Sequence, residues 1–311
     1  WHSWKQIVRD FLAAKENQSK LKVFVNTTLG ETWAERGEAP PYKNLYNRRE
    51  QYKINEVPAD VCFLTAGVDV QRDRLELEIV GWCADKRSYS IDFRVLDGDT
   101  AATKVWNKLA DVLAERWPRK DGMEFPIRLM AVDTGYNTTH VYNFCRRYGA
   151  DRVVPIKGQD HLGMAVSPPK SVDVTKAGKK VGKLRLWNIG VSFMKGELYA
   201  ALRLEKDSDG TPPPNYCHFP EYDEHYFRGL TAEEQVKRIV RGYAKFQWVK
   251  RYERNEPLDC RIYARAAAVI IGLDRLTPKR LAAMGGAVAK KREPRNSESN
   301  GRSRDYNDFW G

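Results

Sequence analysis

The sequence predicts an α/β protein built on a mixed sheet, with three antiparallel strands followed by parallel ones. Three observations carry that expectation. Between residues 62 and 96, three apolar or alternating runs are separated by gaps of turn length, which suits an antiparallel meander. Two further apolar runs, 127–133 and 152–157, each follow a stretch of helical periodicity, which suits parallel strands reached by crossovers. A last apolar segment, 257–273, is long enough for a helix laid on the sheet.

In chain order, Trp4, Ile7, Val8, Phe11 and Leu12 recur at helical spacing within residues 1–20. Residues 21–29 are expected as a short strand, and 30–60, with Pro40-Pro41, as a polar linker wrapping a surface. The core opens with a strand over 62–70, a turn at Arg72-Asp73-Arg74, an alternating strand over 75–82 and a third over 88–96. A helix over 99–117 places Val105, Leu109, Val112, Leu113 and Trp117 on one face and stops at Pro118. After the strand at 127–133 come a helix over 138–148, closed by Gly149, and the strand at 152–157. Residues 158–183 read as a loop or hairpin, 184–189 as a strand, 191–202 as a helix and 205–215 as a surface loop. A capped segment is expected over 231–241 and a strand over 243–251. The organised domain is expected to span 61–275, and 276–311 to be a basic tail that orders only on a partner.

The chain carries 53 Lys and Arg against 41 acids, a net charge of +12, which favours a polyanionic partner, nucleic acid first. No apolar run reaches the roughly 18 residues of a membrane span. The start, Trp1-His2-Ser3-Trp4, is unlike a signal peptide and lacks Met, so a fragment of a longer polypeptide is expected. Five scattered cysteines read as reduced core thiols, and the histidines form no zinc pattern.

The chemistry lies in acids that end apolar runs. Asp69 closes Gly67-Val68-Asp69, and Asp133 closes Ala131-Val132-Asp133. Each alone also reads as a turn-capping Asp. The first meander strand and the first strand after the crossover are natural neighbours, so the two are expected side by side. Asn255-Glu256-Pro257-Leu258-Asp259 opens the last helix with Asn255 as a good N-cap. Glu256 and Asp259 are three apart and share one face of its first turn, where acids also simply suit the helix dipole. Carboxylates converging on one spot repel unless a divalent cation lies between them. Lys157 ends the 152–157 strand and is expected at the same edge, to hold a phosphate or offset developing charge. His140 and His161 are weaker candidates for proton transfer. Lys237, Arg238, Arg241, Lys245, Lys250, Arg251 and Arg254 interleave with Tyr243, Phe246, Trp248 and Tyr252. That mixture suits phosphate contact with base stacking, and a solvated strand face is the plainer alternative.

With this order of elements and acids, the sequence resembles the RNase H-like (retroviral-integrase) fold. More narrowly, residues 24–33, 67–71, 131–135, 255–260 and Cys145-Arg146-Arg147 are similar to the lambda-type family of bacteriophage terminase large subunits. The resemblance implies the nuclease half of a viral DNA-packaging motor, which cuts concatemeric double-stranded DNA with Mg²⁺ or Mn²⁺, two cations per site. It implies Asp69, Asp133 and one or both of Glu256 and Asp259 as metal ligands, leaving the choice between the last two open. It also implies a terminase small subunit that recognises the cutting site, a portal or procapsid engaged through the C-terminal tail, and the host cytoplasm as location. Residues 1–60 would then lead in from an ATPase domain. No G-x-x-x-x-G-K-[ST] occurs: Gly178 to Lys183 has the wrong spacing, and Leu184 stands where Ser or Thr is needed. Two rival expectations are an RNase H-like transposase or resolvase, and a non-catalytic module that binds DNA and docks on a portal.

Overall fold

The structure is a computed structural model that describes residues 3–15, 23–24, 27–29, 35–36, 39–176, 179–240, 243–288 and 290–291. In chain order the elements are α1 (Trp4–Ala14), β1 (Glu35–Arg36), α2 (Tyr42–Asn47), β2 (Val61–Val70), β3 (Arg74–Cys83) and β4 (Ser88–Asp97). Then follow α3 (Thr103–Ala114), β5 (Arg116–Pro118), β6 (Met123–Asp133), α4 (Thr138–Tyr148) and β7 (Val153–Gln159). After these come β8 (Lys170–Lys176), β9 (Lys179–Gly190), α5 (Val191–Leu202), β10 (Cys217–His218) and α6 (Glu224–Leu230). The chain continues through β11 (Glu233–Val240), β12 (Tyr243–Lys250), α7 (Glu256–Ile271), α8 (Pro278–Val288) and β13 (Lys290–Lys291).

The main sheet runs β10-β4-β3-β2-β6-β7-β9-β8, with β5 and β13 also paired to β6. The meander β2-β3-β4 is antiparallel, while β2-β6, β6-β7 and β7-β9 are parallel. This is the RNase H-like mixed sheet flanked by helices. Every residue of β2 is buried, as expected of a strand covered on both faces. On one face Leu64, Ala66, Val68 and Val70 pack with Val105, Leu109 and Val112 of α3 and with Val141 and Phe144 of α4. On the other, Leu129, Ala131 and Ile156 pack with Leu258, Ile262 and Ala266 of α7.

Gly67 sets how closely α7 approaches. A Cβ there would lie 2.1 Å from the Cys260 carbonyl oxygen and 2.3 Å from the Ala264 nitrogen, so only glycine lets the helix rest on β2. The α7 N-terminus is thereby drawn towards the ends of β2 and β6. All five cysteines are free and buried.

Several local expectations are corrected. Val23 and Phe24 are helical, with the Thr28 N–H donating to the Phe24 carbonyl, where a strand was expected. The helix predicted over 99–117 is shorter, because Arg116 to Pro118 leave it to pair with β6. Residues 233–240 form a strand in place of a capped segment; with β12 and β1 they make a separate three-stranded sheet. The expected tail from 276 begins as helix α8. Thr277 Oγ1 accepts from the Arg280 N–H, Pro278 opens the helix, and Leu281 is buried in the cluster holding Phe63 and Trp82. Lys290 pairs with Glu124 at the start of β6. The remaining residues of the expected tail, Ala289 and 292–311, lie outside the described residues.

Candidate active site at the strand ends

Side chains alternate along a strand, so Asp69 shares its face with Gly67, and Asp133 shares its face with Ala131. Both are the faces turned to α7. Val68 lies level with Val132 in the parallel β2–β6 pair, so Asp69 and Asp133 leave the sheet side by side at one edge. Asp69 is only 6% exposed, and its Oδ2 accepts from Gln71 Nε2. Asp133 is half-buried, and its Oδ2 accepts from the Gly135 N–H at 2.9 Å. Ile156 is level with Asp133 in β7, which brings the exposed Lys157 to the same edge. Burial pushes the Asp133 carboxyl up, against the Gly135 and Thr134 N–H groups and the Lys157 ammonium.

The first turn of α7 adds the third group, and there Glu256 and Asp259 differ. Glu256 is held by arginines: Oε1 lies 2.7 Å from Arg74 and Oε2 lies 3.6 Å from Arg254. The same two arginines contact Glu76 Oε1, at 2.6 and 2.7 Å. Asp259 touches no arginine in this cluster; its Oδ2 accepts from Asn255 Nδ2 at 2.9 Å. Burial pushes Asp69 up to about 6, with the charges of Asp133, Glu256 and Glu76 adding to it and Gln71 opposing. Asp259 rises to about 7, again mainly through burial; Lys195 opposes the rise, while Asp69, Glu233 and Asp133 add to it. One turn further, burial and then the charges of Asp259, Asp133 and Asp69 push the Tyr263 phenol up. Glu256 thus shares its two arginines with Glu76, and Asp259 stands outside that cluster.

Among the described residues, no three His, Cys, Asp or Glu side chains are gathered closely enough to hold a metal ion as they stand. Each of the three aspartates has an oxygen turned to a neighbour within its own turn or strand end. The donor set nonetheless fits a hard divalent cation. It consists of carboxylate oxygens whose burial raises their pKa, with mutual repulsion adding to the rise, and a bound cation would offset both.

The basic segment lies on the β11–β12 hairpin, immediately before α7. Lys237 stands opposite Phe246, and Arg238 opposite Lys245. Arg241 lies outside the described residues. Trp248 packs edge-on against Tyr199 of α5, with ring centres 5.1 Å apart, and so anchors the hairpin. Phe246, on the same face, is 65% exposed. Lys250 and Arg254 are exposed, and Arg251 lies 3.6 Å from Glu234.

The family model for the terminase large subunit gpA endonuclease domain matches residues 1–280. The chain belongs to that family. It is 36% identical over 271 residues to the terminase large subunit of Escherichia phage lambda, covering 85% of this chain and 41% of the relative. It is 31% identical over 271 residues to the terminase large subunit of Enterobacteria phage P21, with the same coverage. The chain therefore spans less than half the length of these terminase subunits. Among the described residues, no helix is long and apolar enough to cross a membrane.

Sequence reasoning passed over four residues of this terminase endonuclease domain that line the acid edge. Lys195 and Glu233 form a buried pair at 2.7 Å beside Asp259. Arg74 and Glu76 form the cluster around Glu256. One signal was available: Lys195 interrupts the mostly apolar run 191–202, where an unpaired ammonium would be costly.

Proposed function

We propose that this domain hydrolyses phosphodiester bonds of double-stranded DNA with Mg²⁺ or Mn²⁺, two cations per site, as the cutting part of a viral DNA-packaging enzyme. The observation that carries the reading is that Asp69 and Asp133 each directly follow the level pair Val68–Val132 on neighbouring parallel strands, on the face covered by α7. In this reading Asp69, Asp133 and Asp259 hold the cations, and Glu256 joins them only if Arg74 and Arg254 release it. When bound, the cations supply a water of lowered pKa and relief of charge at the leaving 3′ oxygen.

The chain's own residues do the rest. Asp69, whose carboxyl feels the charges of both Asp133 and Glu256, would help to hold the cations. Lys157 offers an ammonium to the phosphate next to Asp133, where it offsets charge that develops on the phosphoryl oxygens. The hairpin before α7 supplies Lys237, Arg238, Lys245, Lys250, Arg251 and Arg254 for backbone phosphates. Concatemeric viral DNA is the proposed substrate. A terminase small subunit and a portal are the proposed partners, and the host cytoplasm the proposed site of action. The curated relatives, both phage terminase large subunits, support that setting.

The test is nicking of supercoiled plasmid by the purified chain with Mg²⁺ or Mn²⁺. Asp69→Asn and Asp133→Asn should each abolish nicking while the chain stays folded by circular dichroism. If both variants nick at the wild-type rate, the assignment is wrong.

A further inference from the structure

Asn255 stands at the N-cap of α7, where an Asn side chain ordinarily accepts from a backbone N–H of the first turn. It makes no such bond. Its Nδ2 donates to Asp259 Oδ2 and to Glu233 Oε1, both at 2.9 Å. Its Oδ1 accepts from Lys250 Nζ at 2.8 Å. The orientation of the amide follows from Lys250: an ammonium only donates, so Oδ1 faces it and Nδ2 faces the carboxyl groups. Giving up a cap is unfavourable, so this side chain is committed elsewhere against its local preference.

The three partners come from different elements. Glu233 starts β11 and is itself fixed by the buried Lys195 of α5 at 2.7 Å. Lys250 ends β12, on the hairpin that carries the basic residues. Asp259 lies in the first turn of α7, the helix whose Cys260 and Ala264 backbone rests on Gly67, two residues before Asp69 in β2. One amide therefore ties the root of the hairpin to the helical acid of the site.

We propose that Asn255 is a positioning residue for DNA cleavage: it fixes the side chain of Asp259 towards Asp69 and Asp133, and links it to DNA gripped by Lys250. This rests on the function proposed above. With Oδ2 of Asp259 held by Asn255, and Asn255 held by the Lys195–Glu233 pair, the carboxylate turns as part of a braced unit. Lys250 is exposed and shared between Asn255 and any phosphate that reaches the hairpin. DNA occupancy and the setting of Asp259 thus meet at one side chain.

Asn255→Ser separates this role from capping, because Ser caps a helix as well as Asn but carries no amide. The measurements are thermal unfolding, Mn²⁺ binding to the DNA-free chain by electron paramagnetic resonance, and kcat and KM for plasmid nicking. For Asn255→Ser we expect an unchanged melting temperature, Mn²⁺ affinity lower by about 10–100-fold, and a fall in kcat of similar size with KM for DNA retained. Lys250→Met should raise KM for DNA, and its effect on kcat should shrink in the Asn255→Ser background. Asn255→Asp, which keeps the shape but sets a carboxylate against Asp259 and Glu233, should be at least as impaired as Asn255→Ser. Wild-type Mn²⁺ affinity and kcat in Asn255→Ser, or full activity in Asn255→Asp, overturns the proposal. A wild-type chain that neither binds Mn²⁺ nor nicks DNA overturns the function proposed above and this inference with it.

Discussion

Asp69 and Glu76 stand directly opposite one another in the β2–β3 ladder, and both are buried. Like charges at such a cross-strand position are destabilising unless one is neutralised. Here Arg74 and Arg254 converge on Glu76, so the two acids behave differently: Glu76 is paired, and Asp69 is left to the site.

Removing Arg74 should expose that conflict. Arg74→Met leaves the buried Glu76 with one partner and strips Glu256 of its shorter ion pair. We expect a loss of about 2–4 kcal/mol in denaturant unfolding. Lys in place of Arg74 should recover only part of it, since a single ammonium cannot reproduce a fork shared between Glu76 and Glu256.

The acids also predict how stability follows pH. In the folded chain Asp69 holds its proton up to about 6 and Asp259 up to about 7, against about 3.9 for an unfolded Asp. The unfolded state sheds these protons first, so the folded state binds more of them between those values. Stability should therefore fall as pH rises from about 4 to about 7 in chelator. Asp259→Asn should flatten this part of the profile and raise the melting temperature at pH 8. Added Mn²⁺ should stabilise the wild-type chain at pH 8 and do little at pH 5. Parallel profiles for the two proteins in chelator would contradict the assignment.

Gly67→Ala tests the seat of α7. Its Cβ would fall on helix backbone, which cannot rotate away as a side-chain tip would. A destabilisation of about 2–3 kcal/mol is expected by urea unfolding. Nicking should fall further than the unfolded fraction explains, because the helix carrying Asp259 is displaced from Asp69 and Asp133.

The two aromatics of β12 should separate cleanly. Trp248→Ala loses packing against Tyr199 and should cost about 2–3 kcal/mol of stability. Phe246→Ala should leave stability unchanged and weaken DNA binding by about 1–2 kcal/mol, read by fluorescence anisotropy in Ca²⁺. Equal DNA affinity for Phe246→Ala and the wild-type chain would remove Phe246 from the DNA surface.

Much of this arrangement was legible in the residue order. The runs ending in Asp69 and Asp133 announced strands with acids at their tips, and the crossover between them made the strands neighbours. The ranking of Glu256 against Asp259 was not legible, because it depends on Arg74, far away in sequence and brought in by the β2–β3 turn. Residues 233–240 hid their strand because their partners, β12 and β1, supply the pairing that local pattern cannot. Asn255 illustrates a subtler limit: the residue type that marks a helix start was read correctly, yet its side chain serves other partners.

The short pairing of β13 with the start of β6 has a spatial consequence. Lys290 meets Glu124 near one end of that strand, and Asp133 closes the other, roughly 30 Å away at strand rise. Any partner that grips the chain at Lys290 and Lys291 does so at the pole opposite the acids. The strand ends that carry Asp69 and Asp133 would then be left uncovered by that partner.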